Sequence, residues 1–393
     1  MKRFLLITGV VLMFAAEILR VYFIMPFPGS QHADTVSFAY WLTNNINWIR
    51  ILALALILFP ALFYLKKGTK PTRIALTLIL ALYALVFFFI NYRFEADKMF
   101  YQPKKKTFAG TATDTTKKNK LVLGIIINGE AKAYPIEVIG YHHQVMDTVG
   151  GEPVMVTYCT VCRTGRVFSP FVKGKRESFR LVGMDHFNAM FEDATTQSWW
   201  QQSTGKAIVG PLKGLSLKEL PSQQNTLKVW LRQYPNSAVM QPDPSFKKEY
   251  AHLKGYDKGT IADGLEKRDS ASWKPKSWII GVVHENVAKA YDWNRLLNVK
   301  LINDSIKAIP LLVVVENDKA SFHVFNRMVD NKILEFKKER DDLLIDNFTN
   351  SIWNMAGLCI TGSLKGKILK PVQSYQEFWH SWGTFHPNTL KYN

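Results

Sequence analysis

The chain has 393 residues, of which 47% are hydrophobic, 13% aromatic and 21% charged, and 50 Lys and Arg against 32 Asp and Glu leave a formal charge of +18. That apolar and aromatic content excludes a mainly disordered chain, and three cysteines exclude a disulfide scaffold. The length suits two compact units plus an additional segment.

The additional segment is 1–92, which reads as a three-helix transmembrane anchor. Phe4 to Met25 is apolar apart from Glu17 and Arg20, Trp48 to Leu65 apart from Arg50, and Ile74 to Tyr92 without interruption. Runs of this length cross a bilayer as helices, because only a helix satisfies its own backbone in lipid. Pro60 is expected to kink the second span. Lys2 and Arg3 precede the first span, and Lys66, Lys67, Lys70 and Arg73 crowd the loop after the second, whereas Pro28 to Asn47 has no Lys or Arg. The positive-inside rule then predicts a cytoplasmic N-terminus and a large C-terminal domain on the outer side of the cell (inner) membrane. A rival reading makes Phe4 to Ala16 a cleaved signal, but Glu17 falls where a small residue is wanted. Either way the bilayer is the expected partner, with an envelope protein or a small ligand as the others, and nucleic acid is not expected. Residues 93–120, with Lys104–Lys106 and Lys117, Lys118 and Lys120, read as a solvated basic linker beside the lipid headgroups.

An internal repeat organises the remainder. Gly124 to Tyr134 matches Gly281 to Tyr291 at an offset of 157 residues, and the same offset pairs Asp147 with Asp304, Pro153 with Pro310 and Phe168 with Phe325. Further on, Asp193, Thr196, Ser198 and Trp200 pair with Asp346, Thr349, Ser351 and Trp353. Gly205, Gly210, Gly214, Trp230 and Pro235 then pair with Gly357, Gly362, Gly366, Trp382 and Pro387. The expectation is a tandem-duplicated, β-rich α+β domain: halves at 121–240 and 278–393, a connector at 241–277, and pseudo-two-fold packing that leaves a cleft between the halves.

Within the first half, Leu121 to Ile127 is a β-branched run, Asn128-Gly129 a hairpin turn, and Ala131 to Tyr134 the returning strand. Pro135 opens a short helical turn. Gln144 to Thr148 and Pro153 to Tyr158 read as strands joined at Gly150-Gly151. Val167 to Phe171 and Ser178 to Val182 are expected to continue that sheet. Leu227, Trp230, Leu231 and Tyr234 form the stripe of an amphipathic helix stopped by Pro235, and its counterpart carries Trp379 and Trp382.

The repeat also serves as an internal control, since features of one half alone are site candidates. Cys159 and Cys162 stand opposite Glu316 and Lys319, and His142 and His143 opposite Val299 and Lys300. Cys159-Thr-Val-Cys162 follows an apolar strand, and Gly165 precedes β-like residues. This places the motif on a turn between strands rather than in a thioredoxin-like helix. Such a knuckle offers two thiolates to a soft metal, copper or zinc, with His142 and His143 as further ligands brought close by the hairpin. Met155, Met184 and Cys359 are more distant soft candidates, and Cys359 also reads as a small buried apolar residue. Two other readings stand beside metal binding. One is thiol redox chemistry at Cys159 and Cys162; the other is an inert structural pair, in which case the cleft is a non-catalytic ligand- or partner-binding site. Arg163 and Arg166, with Arg180, would stabilise thiolates or bind an anion, or else line a solvated strand. Asp185, His186 and Asn188 form a secondary polar cluster. No phosphate loop, nucleophile elbow or zinc-protease helix is present.

Ala131-Lys-Ala-Tyr-Pro135, His142 to Gly151, Val156 to Gly165 and Trp200 to Pro211 resemble domain-of-unknown-function family 3179 (DUF3179) over nearly all of the chain beyond the anchor. The resemblance implies a prokaryotic, extracytoplasmic or membrane-tethered protein with Tyr158-Cys-x-x-Cys162 as its hallmark, and it implies no activity. Arg163 departs from the smaller residue that often follows the second cysteine in that family.

Overall fold

The computed structural model describes all residues except Asp263, Asp341 and Asn393. The chain forms two compact units, one of Met1–Tyr101 with Glu177–Ser216, the other of Gln102–Arg176 with Leu217–Asn393.

In the first unit, helices Lys2–Tyr22, Val36–Lys67 and Lys70–Tyr92 are each long and apolar enough to cross a membrane. The second begins twelve residues before the apolar run at Trp48, because nothing between Val36 and Asn47 breaks a helix, and it continues through Pro60. Large side chains such as Trp48, Leu58 and Leu78 face outward, an exposure suited to lipid rather than water. The polar exceptions of the sequence meet one another. Arg50 donates to both carboxylate oxygens of Glu17 at 2.7 and 2.9 Å, and Asn91 and Tyr83 donate to the same carboxylate at 3.1 and 3.2 Å. A charge at this depth persists because it is paired.

The same unit holds an antiparallel sheet of Phe179–Asp185, Asn188–Asp193, Trp199–Gln201 and Ala207–Val209. The expectation that Ser178 to Val182 continues the preceding sheet is therefore corrected. A separate hairpin, Phe171–Val172 with Lys175–Arg176, intervenes, and the next strand pairs across the tight turn at His186 and Phe187, both at positive φ. This sheet is tied to the loop after the first helix: Met184 N donates to the Ile24 carbonyl at 2.7 Å, and Phe187 N to Gln31 Oε1 at 3.1 Å.

The second unit carries two sheets with one strand order. In the first, Ala238–Met240, Glu130–Pro135, Leu121–Ile127 and Gln223–Thr226 lie side by side, with Phe108–Ala109 added at the edge. In the other, Leu390–Tyr392, Val287–Asp292, Trp278–His284 and Ser374–Phe378 repeat the order. In each, only the pair of the last strand with the returning hairpin strand is parallel. Gly124 and Gly281 occupy matching places, where a Cβ would stand 2.3 and 2.2 Å from the rings of Trp230 and Trp382. Only glycine admits those indoles against the strand. A second antiparallel layer follows each: Gln144–Val149, Glu152–Cys159 and Thr164–Phe168, and then Leu301–Ile306, Ile309–Val315 and Phe322–Asn326. The continuous Val/Ile/Leu runs of these strands are buried on both faces.

Part of the presumed linker belongs to this unit. Phe108 and Ala109 pair with Met240 and Val239, Lys105 N donates to Asp243, and Lys106 meets Asp147 at 3.1 Å.

Candidate functional site

Cys159 ends its strand opposite Thr164, and Thr160 to Arg163 make the turn. Arg163 takes φ +57°, and its N–H closes the turn on the Thr160 carbonyl at 3.3 Å. The motif thus lies on a turn between strands, as its spacing predicts. Both cysteines are fully buried, and among the described residues no cysteine is in a disulfide.

The walls come from distant sequence. Phe378 N donates to the Cys162 carbonyl at 3.0 Å, and Tyr256 Oη to the Thr160 carbonyl at 2.8 Å. Lys276 Nζ and His380 Nε2 reach the Val161 carbonyl at 2.7 and 3.1 Å. Burial holds the Cys162 thiol well above its usual range, and a hydrogen bond with Cys159 pushes the same way. Ser381 and the Lys276 ammonium oppose that shift. Burial lowers Lys276, and it brings His380 down to about 4, with Lys276 contributing. Behind the turn, Arg166 forms a buried ion pair with Glu377 at 2.6 Å and stacks 3.2 Å from the Tyr375 ring centre.

The hairpin brings His143 beside this strand: its carbonyl accepts from Tyr158 N at 2.9 Å, and its Nδ1 lies 3.1 Å from the Tyr158 carbonyl. The His142 ring instead meets Tyr250 Oη at 2.7 Å and packs on Phe246. Among the described residues no group of three or more His, Cys, Asp or Glu is arranged to hold a metal ion. Cys359 is buried within its own sheet and points its sulfur at the Thr361 carbonyl, 3.3 Å away. Met155 is a core residue of the strand leading to Cys159, and Met184 belongs to the first unit. Arg180 pairs with Glu192 at 2.7 Å in that first unit.

The secondary cluster also lies in the first unit. His186 Nδ1 is 2.6 Å from Asp185, whose other oxygen accepts from Gln201, and that hydrogen bond leads the causes that raise His186. Asn188 bonds Gln202 and Ser203. These contacts knit the sheet together.

Sequence reasoning missed Lys276, Tyr256, His380 and Ser381. A signal for two of them existed, since His380 and Ser381 stand opposite Lys228 and Val229 and so differ between the halves, and Lys276, just before the second half, likewise stands opposite Asn119.

Fold and site together define a β-rich α+β protein with an N-terminal group of apolar helices and a buried cysteine pair on a strand-to-strand turn. The profile of a family described as "Protein of unknown function (DUF3179)" matches residues 101–389, and the chain belongs to that family. No curated protein and no solved structure matches the chain.

Proposed function

We propose that Cys159 and Cys162 form a reversible dithiol–disulfide pair in a membrane-anchored domain held outside the cytoplasm. The observation that carries this reading is that one short turn holds both buried cysteines, with Lys276 Nζ donating to the Val161 carbonyl between them at 2.7 Å. In the reaction, one thiolate attacks a sulfur of a partner disulfide and releases the first partner thiol. The second cysteine then attacks the mixed disulfide and releases the second partner thiol. The pair loses two electrons and two protons, and the partner disulfide gains them. The Lys276 ammonium favours the attacking thiolate, and burial of the turn makes its opening the step that admits a partner. The basic loop Lys66–Arg73 supports the outward orientation, in which disulfides persist. We also read the two halves as copies related by a pseudo-two-fold, on the strength of their shared strand order.

A second reading is favoured by the complete burial of both sulfurs. Two thiolates joined, among the described residues, by no third His, Cys, Asp or Glu suit a two-coordinate copper(I) ion better than four-coordinate zinc.

The test equilibrates the full chain in detergent against thiol–disulfide buffers and follows alkylation and intact mass. A single two-electron transition that Cys159→Ser abolishes supports the redox pair. Retention of both thiols across the whole range overturns it. Copper analysis under reductant then decides the second reading, which needs one ion per chain and its loss in Cys159→Ser.

A further inference from the structure

Beside the cysteine turn lies a cavity of about 460 Å3, formed within the second unit where the first half, the connector and the second half meet. Arg163, the residue after Cys162, and Arg268 of the connector both stack on Trp278, their guanidinium carbons 3.7 and 4.3 Å from a ring centre of that residue. Two like charges on one indole repel, and Arg268 is held below its ordinary value by burial first and by Arg163 second. Among the described residues neither guanidinium meets a carboxylate at ion-pair distance. Arg163 donates to Gln376 Oε1 at 2.8 Å and to the carbonyls of Tyr256 and Asp257 at 3.3 Å, and Arg268 donates to Asn294.

The buried polar atoms left over in the lining side chains are donors with one exception. Among the described residues Arg268 Nε, Trp278 Nε1, Trp293 Nε1 and Gln376 Nε2 are buried donors with no partner, and all four residues line this cavity. The buried unpartnered acceptor among the lining side chains of the described residues is Asp257 Oδ1, whose carboxyl burial pushes up to about 6. A buried donor left unmade costs about 1–3 kcal/mol, so four in residues that line one space favour a group rich in acceptors there, reached by small side-chain shifts that bring these N–H groups to the cavity surface. Lys228, Lys258 and Lys319 add positive charge at the rim. The acid beside them, Asp318, is already engaged by Thr226 and Ser321.

We propose that this cavity binds a small oxyanion, a phosphate or carboxylate group on a small molecule. The donors of Arg268, Trp278, Trp293 and Gln376 bond its oxygens, and the charges of Arg163 and Arg268 neutralise it. The two indoles wall the rest of the ligand. Recognition does not depend on the redox state of Cys159 and Cys162, neither of which lines the space.

Isothermal titration of the full chain in detergent with inorganic phosphate, pyrophosphate and citrate, at matched ionic strength, tests this. Saturable binding of at least one probe is expected below about 10 mM. A phosphate probe that binds while citrate does not assigns a phosphate group, and the reverse assigns a carboxylate. Arg268→Gln is expected to weaken binding about tenfold or more. Trp293→Phe removes the indole N–H together with its five-membered ring, and it too is expected to weaken binding, measured well below a melting temperature that the lost core volume lowers. Lys173→Gln, in a surface hairpin, is expected to bind as wild type. The Cys159→Ser/Cys162→Ser protein is expected to bind normally, which separates this proposal from the redox reading. Absence of saturation by all three probes overturns it. So does equal weakening by Arg268→Gln and Lys173→Gln, or wild-type affinity in Trp293→Phe.

Discussion

Gln224 Nε2 donates to Gln376 Oε1 across 3.1 Å, and the two glutamines hold corresponding places: Gln224 is opposite Leu123 in its sheet, and Gln376 opposite Ile280 in the other. A bond between corresponding residues is what the proposed pseudo-two-fold would place at its axis. The exchange continues on either side. Phe378 of the second half holds the Cys162 carbonyl, while Thr226 N, at the corresponding position of the first half, donates to Ser321 Oγ at 2.9 Å. Each half therefore closes a turn of the other.

Equal geometry predicts equal cost. Gly124→Ala and Gly281→Ala each drive a methyl into an indole, and each is expected to destabilise by about 1–3 kcal/mol in denaturant titrations. A large effect at one glycine and none at the other would show that the likeness stops at topology.

Much of this was readable because it is local or periodic. The apolar runs around Glu17 and Arg50 mark the helices, the Asn128-Gly129 and Gly150-Gly151 turns mark hairpins, and Gly165 marks the cysteine motif as a turn. The walls of the site were not readable in the same way. Phe378 of the second half and Lys276 of the connector meet the turn from distant sequence, and no local pattern encodes which segment supplies which wall. The separate sheet at Phe179–Asp185 escaped for a related reason. Its strand has the same β-like composition as its predecessors, and its partners are set by the turn at His186 and Phe187. The reach of His143 was legible from the hairpin, but its engagement with the Tyr158 carbonyl was not.

The Arg166–Glu377 pair spans the halves with both side chains almost fully buried. Removing one partner strands a charge. Glu377→Ala is expected to cost about 3–5 kcal/mol, moderated by Glu219, 3.6 Å from the same guanidinium. The double replacement Arg166→Met/Glu377→Met leaves no orphan charge and is expected to be less destabilising than Glu377→Ala. A double variant weaker than the single one would contradict this account.

Acid should loosen the site from beneath. Burial holds His143 at about 4 in the folded chain against an ordinary 6.5. The unfolded chain therefore takes up the proton first. The stability tied to the neutral ring is complete above pH 6.5, falls as pH drops, and is lost by about pH 4. The full loss is about 3 kcal/mol. His143→Asn keeps a side chain tolerant of the φ of +58° and cannot titrate. Urea midpoints at pH 7.5 and 4.5 should fall less in that variant than in wild type, and an equal fall would assign acid sensitivity elsewhere.

Asp257 carries the opposite sign. Its carboxyl is raised to about 6 by burial first, while the Leu121 N–H, Lys120 and Arg163 pull it down and Glu137 pushes it up. The folded chain thus holds its proton more tightly than the unfolded chain does. Stability from this group is complete below about pH 4 and is lost as pH rises through 6, about 3 kcal/mol in all. Asp257→Asn removes that loss and keeps an oxygen for the Leu121 N–H, which Asp257 Oδ2 accepts at 3.1 Å. The variant is expected to be more stable than wild type at pH 8 and no more stable at pH 4, as read from urea midpoints. If wild type binds an oxyanion beside Arg163 and Arg268, the same variant also binds it more tightly at pH 8, because a negative neighbour has gone. A gain in stability that is the same at both pH values would show that the carboxylate charge is not the source of the cost.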